Sequence, residues 1–383
     1  MKRADTLSHV IVFLLVGISA PSKGLAQASG VGAFVGTNNS NKASGSWAIV
    51  VGGSSNTAST NYATVGGGCL NTNTGWLSTL CGGGSNLVSA SAQFSTLCGG
   101  VYNVVSGQFG MLGGGLYNTV GSGIHSTLGG GSGNKVVGWG ATLGGGSDNM
   151  INGNYATLGG GGNNTISNSP GVHSFATLLG GTMNKVSGYC AALGGGGNNI
   201  ASGGYSTVPG GSRCKATNKG SFVWSGVETV DTVSVSDNSF TIRAPGGVRF
   251  ITAANNSLAG VQLNRNATAW TVLSDRDSKI SFKPVNSRDI LSRLASMPVT
   301  TWQYKHDPSR RYIGPTSQDF MAAFHLGDYD KGINTLDADG VAFAAIQGLV
   351  GELKDRDKKI EALEKKMDLL QKNIESLSPP GKQ

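Results

Sequence analysis

The stretch "ATLGGGSDNMINGNYATLGGGGNN", residues 141–164, carries two glycine runs whose leading leucines, Leu143 and Leu158, lie fifteen residues apart. The same pattern extends in both directions, and nine of its twelve steps are fifteen residues long, the others being 17, 16 and 20. Self-similarity at one short period is typical of a solenoid. The apolar residue that leads into each run is found at Val35, Val50, Val65, Leu80, Leu97, Leu112, Leu128, Leu143, Leu158, Leu178, Leu193, Val208 and Val223.

A second apolar or small position follows about eight residues later in each repeat, with turn residues on both sides. Each repeat therefore predicts strand, turn, strand, turn, with glycine and asparagine supplying positive φ at the corners. A coil of fifteen residues is too thin to bury much apolar area alone, so we expect several chains to associate laterally. The second position is occupied by Ala43, Ala58, Val88, Val105, Val120, Val136, Ile151, Ile166, Val186, Ala201 and Ala216.

Two nucleotide- or ion-binding interpretations of the glycine runs fail. A phosphate-binding loop requires a Lys-Ser/Thr pair that opens a helix, and none of the runs has it. A calcium-binding roll requires an aspartate in each turn, whereas Asp148 is the only acid between residues 27 and 227. The sequence predicts neither a cofactor nor a metal.

The net charge of +8 is not concentrated in any basic block of five or more residues. Aromatic residues do not alternate with the basic ones as they would in a stacking groove, so we expect no nucleic-acid partner. A weak attraction to anionic glycans or cell surfaces remains open.

Strings such as "NYATVGGG", residues 61–68, resemble the head repeats of trimeric autotransporter adhesins. The resemblance covers about residues 30–226 and implies a left-handed parallel β-roll that associates as a homotrimer. It also implies a host-surface, matrix or glycan receptor as partner. The C-terminal membrane barrel of those adhesins has no counterpart here.

The first 26 residues have the form of a signal peptide, with a charged "MKR", the apolar run "VIVFLLVGISA" and "GLA" before Gln27. No second apolar span follows. We therefore expect residues 27–226 to form an exported β-roll domain without a transmembrane anchor, at the cell surface, associated with an outer membrane or extracellular.

Beyond Gly226 the period stops, and residues 227–273 alternate polar and apolar side chains as a β connector would. From residue 274 charge and helical signals increase, and Ile290, Leu291, Leu294 and Met297 share one helix face. Residues 341–378 carry heptads with isoleucine in one seam and leucine in the other, which predicts a coiled coil. That seam composition favours a dimer by simple rules, although fused domains can override it. The seam positions are Ile346, Leu349, Leu353, Arg356, Ile360, Leu363, Met367, Leu370, Ile374 and Leu377.

Three motifs occur in order before and within the start of this coil: "SDRDSK" (274–279), "RRYIGPTSQDF" (310–320) and "LDADGVAFAAIQGL" (336–349). Together they resemble the intramolecular chaperone auto-processing domain, also called peptidase S74, over about residues 274–370. The resemblance implies that residues 274–340 form an α+β chaperone domain that trimerises, helps an upstream β-rich stalk to fold and then cuts itself off. It further implies Ser274 as nucleophile, Lys279 as its base, and Leu273–Ser274 as the scissile bond.

One departure affects self-cleavage. Tyr312 stands where members of that family commonly have an assisting histidine, and Ser317 replaces the usual alanine. His306 and His325 are nearby in sequence, and Asp275 and Gln318 are further assisting candidates. At most, then, the chain is a self-cleaving serine endopeptidase with a Ser-Lys dyad.

The five cysteines form no CxxC pair. Cys81 and Cys98, however, each follow the repeat leucine on adjacent turns. This placement is consistent with a disulfide and also with two small buried side chains. The sequence is compatible with three functions. The preferred one is an exported, adhesin-like trimeric fibre. The second is a phage tail fibre or appendage. The third is a polysaccharide-degrading enzyme, which the scarcity of acids disfavours.

Overall fold

The structure is a computed structural model that describes residues 27–36, 39–167, 174–254, 259–327 and 329–377. The predicted signal peptide, residues 1–26, lies outside the described residues. The chain divides into two compact units, residues 1–246 and residues 247–383. Each unit is described by itself.

The first unit is a parallel β-solenoid of about 14 turns, as the repeat predicted. Its two sheets, sheet 1 and sheet 2, have fourteen parallel strands each. Sheet 1 consists of Gln27–Ala28, Lys42–Ala43, Thr57–Ala58, Thr72–Asn73, Leu87–Val88, Val104–Val105, Thr119–Val120, Lys135–Val136, Met150–Ile151, Thr165–Ile166, Lys185–Val186, Ile200–Ala201, Cys214–Ala216 and Thr232–Val233. Sheet 2 consists of Phe34–Val35, Ile49–Val50, Thr64–Val65, Thr79–Leu80, Thr96–Leu97, Met111–Leu112, Thr127–Leu128, Thr142–Leu143, Thr157–Leu158, Thr177–Leu178, Ala192–Leu193, Thr207–Val208, Phe222–Ser225 and Phe240–Arg243.

The core of the solenoid contains the two columns of apolar residues that the repeat identifies. In the two-residue strands between Lys42 and Val208 the second side chain is buried and the first is more exposed, as in Thr142–Leu143 and Lys135–Val136. Leu143 stacks on Leu128 and Leu158 in register across sheet 2. At the one turn where the second column is polar, buried Asn73 donates to the carbonyls of Thr64 and Ser78, both at 3.0 Å.

A ladder of buried asparagines runs the length of the solenoid, and the sequence reasoning missed it. Asn149 Nδ2 donates to the carbonyl of Gly145 at 3.0 Å and to that of Gly161, one turn on, at 2.8 Å. Its Oδ1 accepts the backbone N–H of Asn164, the next member of the ladder, at 3.0 Å. This side chain thus pairs the Gly145 carbonyl and the Asn164 N–H, while the Gly161 carbonyl also accepts the backbone N–H of Ser147 at 2.9 Å. The ladder comprises Asn41, Asn56, Asn71, Asn86, Asn103, Asn118, Asn134, Asn149, Asn164, Asn184 and Asn199.

One glycine column is required both by conformation and by space. At Gly146 φ is +91°, and a Cβ atom would lie 2.1 Å from the carbonyl oxygen of Gly161. Equivalent glycines on the neighbouring turns, such as Gly131 and Gly161, meet the same contact at 2.1 Å. The backbones of successive turns are in contact there, so any side chain would separate them.

The remaining corners differ from the prediction that glycine and asparagine supply positive φ. The residue before each ladder asparagine and the residue at the opposite corner are mostly neither, as Tyr117 (φ 56°) and Phe109 (φ 54°) illustrate. Their rings stack along the rod: Phe94 and Phe109 have centroids 5.0 Å apart, and Phe109 and His125 4.7 Å. Ring stacking between turns compensates for part of the strain of the left-handed conformation.

The parallel sheets continue one turn past Gly226, because Phe222–Ser225 pairs in parallel with Phe240–Arg243. Asp231 lies in this last turn and forms ion pairs with Lys215 and, at 3.0 Å, with Arg213. The hydrogen bond from Lys215 is the main reason why the pKa of Asp231 lies below its usual value.

The second unit begins with a small antiparallel sheet of β1 (Val248–Ile251), β2 (Gly260–Leu263) and β3 (Thr271–Val272). A 3₁₀ turn, Arg276–Ser278, follows, and then come α1 (Ser287–Ser296), the hairpin β4 (Thr300–Tyr304) and β5 (Asp307–Gly314), α2 (Ser317–Phe324) and α3 (Thr335–Leu377). Phe320, Phe324 and Val341 are the buried core, against which Ile290 and Leu294 of α1 pack. The predicted apolar face of α1 is confirmed by these contacts.

Asn149→Ala is expected to destabilise the solenoid by about 2 kcal/mol, because it leaves the Gly145 carbonyl and the Asn164 N–H without this hydrogen-bond partner. Asn152→Ala is the matched control: Asn152 is exposed on the same turn, and its loss is expected to change stability by no more than about 0.5 kcal/mol. The urea midpoint of the β-sheet circular dichroism signal measures both. Equal midpoints for the two variants would contradict the role assigned to the ladder.

Candidate functional site

The candidate site is a short turn that directly follows β3. Asp275 is the N-cap of the 3₁₀ turn, and its side chain accepts the backbone N–H of Asp277 at 3.1 Å. Ser278 Oγ donates to the carbonyl of Asp275 at 2.8 Å, and Lys279 N donates to that of Arg276 at 3.1 Å. These bonds fold five residues back on themselves, so that the two ends of "SDRDSK" meet.

Ser274 and Lys279 are in direct contact as a result: Lys279 Nζ donates a hydrogen bond to Ser274 Oγ. Both residues are exposed in the single chain. A serine hydroxyl is a weak nucleophile that requires an adjacent base, and a contact of this kind is one requirement of a Ser-Lys dyad. The peptide bond between Leu273 and Ser274 lies at the junction of β3 and the turn.

The other residues named from the sequence lie on different elements. Tyr312 is on β5, where its ring stacks on Trp302 at 4.9 Å and lies under Arg310, also at 4.9 Å. Gln318 is exposed on α2. Within the described residues, no hydrogen bond joins either side chain to Ser274 or Lys279. Asp275 lies next to Ser274, but its side chain caps the turn.

The two histidines considered as substitutes are likewise engaged elsewhere. His306 stacks on Tyr304 with ring centroids 5.0 Å apart. His325 is the C-cap of α2 in the left-handed conformation, φ 55°, and lines a cavity of about 560 Å³ with Tyr329 and Asp337. In the described part of the chain, therefore, the structure brings together the dyad and its turn, without an imidazole partner. No group of three or more metal-binding side chains occurs among the described residues.

The motif "IGPTSQDF" has a structural explanation that the sequence did not provide. Thr316 is the N-cap of α2, accepting the backbone N–H of Asp319 at 3.1 Å, and Phe320 belongs to the buried core. Ser317 Oγ donates to the carbonyl of Asp330 at 2.6 Å, which ties the loop after α2 to its first turn. The signal that could have identified these roles is the Thr-x-x-Asp spacing of an N-cap.

Helix α3 packs on α1 with its N-terminal half. Arg288 of α1 forms ion pairs with Asp355 and, at 3.7 Å, with Glu352. Val341 and Ala345 are buried, whereas the later seam residues are not: Ile360 is 52% exposed and Met367 is 67% exposed. The predicted heptad segment is therefore helical, with its apolar seam open to solvent in the single chain. No helix in the described residues has the length and apolar character needed to cross a bilayer.

Taken together, the fold and the site define a repeat β-solenoid followed by a small helical unit with a Ser-Lys contact at its start. Residues 274–326 match the peptidase S74 family, described as chaperone of endosialidase. The match begins at Ser274 and includes the turn, α1, the hairpin and α2. A comparison with curated proteins found no match to the chain.

Gly348→Ala is expected to weaken the packing of α3 on α1, because the added Cβ would lie 2.3 Å from the Ser287 carbonyl oxygen. Such overpacking costs about 1–3 kcal/mol. Gly351→Ala is the matched control, since its Cβ would meet only Arg288 side-chain atoms, the nearest at 3.8 Å, and is expected to stabilise the helix by about 1 kcal/mol. The thermal midpoint of the 222 nm signal should move in opposite directions; a shift in the same direction would contradict the predicted contact.

Proposed function

We propose that the chain is an exported, adhesin-like fibre protein whose C-terminal unit assembles three copies. The observation that carries this proposal is the exposed apolar seam of α3, which follows the segment that matches the chaperone family. Eight large apolar side chains of this seam, Ile346, Leu349, Leu353, Ile360, Leu363, Met367, Leu370 and Ile374, are 50% exposed or more. Burying them against other copies of the same helix is the usual solution for a heptad repeat.

Assembly at this end serves the solenoid. Parallel strands of near-identical sequence can pair in a wrong register, and long-range parallel pairing is slow. When three chains are held together at their C-terminal helices, the solenoid turns of all three chains begin to form at the same position in the sequence. The domain division of the proposal is a glycine-rich repeat domain over residues 27–226, a β connector over 227–273 that includes the last turn of the solenoid, a chaperone over 274–340 and a trimeric coil over 341–378.

In the second step the C-terminal unit releases itself by cutting the Leu273–Ser274 bond. Ser274 is the nucleophile and Lys279 its base, supported by their hydrogen bond. A lysine accepts a proton only as the neutral amine, and desolvation favours that form. Both side chains are exposed in the single chain, so the proposal places cleavage after assembly, when neighbouring chains cover the dyad.

A phage tail fibre or appendage protein with the same chaperone is the second candidate, because the family match favours it equally. The two candidates differ in whether residues 1–26 are removed on export. Recovery of a mature chain that begins at Gln27 supports the exported fibre, whereas assembled protein that retains Met1 supports the appendage.

Leu363→Asp is expected to shift the protein from trimer to monomer, because it places a carboxylate in the apolar seam. Ala362→Asp adds the same charge to the exposed flank one residue away and should leave the trimer intact. Sedimentation velocity in a Ser274→Ala background, which keeps the helix attached, measures the assembly. A wild-type monomer, or a trimer that survives Leu363→Asp, would refute trimerisation through α3.

Ser274→Ala, Lys279→Ala and Lys279→Arg are each expected to slow cleavage by about 10³-fold or more. The arginine variant is the sharpest of the three, because it keeps the charge and the hydrogen-bond donor but cannot serve as a base. Lys283→Ala, an exposed lysine of the same segment, is the control. Intact mass spectrometry should find a fragment that starts at Ser274 in the wild type and in the control only. An uncut wild type would mean that the chaperone is retained and the protease function is absent.

A further inference from the structure

Two cysteines of the solenoid lie side by side on neighbouring turns. Cys81 and Cys98 directly follow the in-register pair Leu80 and Leu97 of sheet 2. Both side chains are exposed, and Cys81 N donates to the carbonyl of Leu97 at 2.9 Å. Adjacent strands are about 4.8 Å apart, within the 4.4–6.8 Å range of Cα separations that disulfides span.

The two thiols already interact in the reduced protein. The pKa of Cys81 is raised first by desolvation and then by the charge of, and a hydrogen bond with, the thiol of Cys98. Both cysteines are free thiols in this structure. A reduced pair on adjacent, in-register strands can be oxidised with little movement of the backbone, because the strand spacing lies within the disulfide range.

The position of the pair in the repeat is specific. Leu80 and Leu97 delimit the single 17-residue step of the repeat, in which two extra residues enlarge the corner that includes Ser89 and Phe94. A covalent bond between Cys81 and Cys98 would close a ring around this enlarged turn. It would therefore hold together the two turns that the enlarged corner connects.

We propose that Cys81 and Cys98 are a redox-active pair that forms an intramolecular disulfide across this turn when a low-molecular-weight disulfide serves as the oxidant. One thiolate of the pair attacks the oxidant, and half of the oxidant leaves as a thiol. The second thiolate then attacks the mixed disulfide and expels the other half. Two electrons pass to the S–S bond of the oxidant, and the two protons end on the two released thiols. The proposal concerns the solenoid alone and does not depend on the C-terminal unit.

The test is incubation of the full chain with oxidised glutathione, followed by alkylation and intact mass spectrometry. Wild-type protein should lose two of its five alkylatable thiols and about 2 Da of mass before alkylation. Chymotrypsin, which cuts after Phe94, should yield fragments that remain joined through Cys81 and Cys98 until a reductant is added. The oxidised protein should unfold at a higher urea concentration than the reduced protein.

Three variants make the result specific. Cys81→Ser and Cys98→Ser should each prevent the intramolecular bond and instead retain one glutathione on the remaining partner. Cys69→Ser removes an exposed thiol from the same region and should leave the oxidation unchanged. Stable glutathione adducts on both Cys81 and Cys98 of the wild type, or a disulfide between chains, would overturn the proposal.

Discussion

The first unit depends on the size of its turn. Fifteen residues leave room inside for little more than one leucine, one valine and a few small groups, so each turn is stabilised chiefly by its two neighbours. The recurring positions of the repeat all contribute to the contact between adjacent turns. The leucines stack in register, and the asparagines form hydrogen bonds to the backbones of two turns at once. The glycine column lets the backbones of adjacent turns come into contact. One turn alone would have almost none of these interactions.

The same constraint explains which features could be predicted. The period and the two buried columns could be predicted from the spacing of residues such as Leu143 and Val136, because every turn of a solenoid buries the same two positions. The asparagine ladder did not follow, since an asparagine beside glycine is also the commonest turn residue. Only the positions of Gly145 and Gly161 around Asn149 show that it is buried for its hydrogen bonds. Tyr117 and Phe109 at positive φ were equally unpredictable, because their stabilisation comes from rings on other turns.

The second unit was predictable through motifs rather than periodicity. "SDRDSK" and "IGPTSQDF" identified the segment that matches the chaperone family, and the heptads identified α3. The Ser274–Lys279 contact required a turn whose bonds, through Asp275 and Ser278, the sequence only suggested. The Ser274–Lys279 pair and the apolar seam of α3 are both exposed in the single chain, and association with other chains can cover both. In the proposed trimer the other chains cover both, which makes assembly the step on which the proposed chaperone and protease functions rest.

The most direct test of this account compares two chains refolded under the same conditions: the uncleaved Ser274→Ala protein and a chain that ends at Leu273. Trypsin reports the outcome, because exposed Lys135 and Lys185 lie on the solenoid strands. The account predicts a trypsin-resistant trimer from the full chain and protease-sensitive or aggregated material from the truncated one. Trypsin-resistant trimers formed by the truncated chain alone would contradict it.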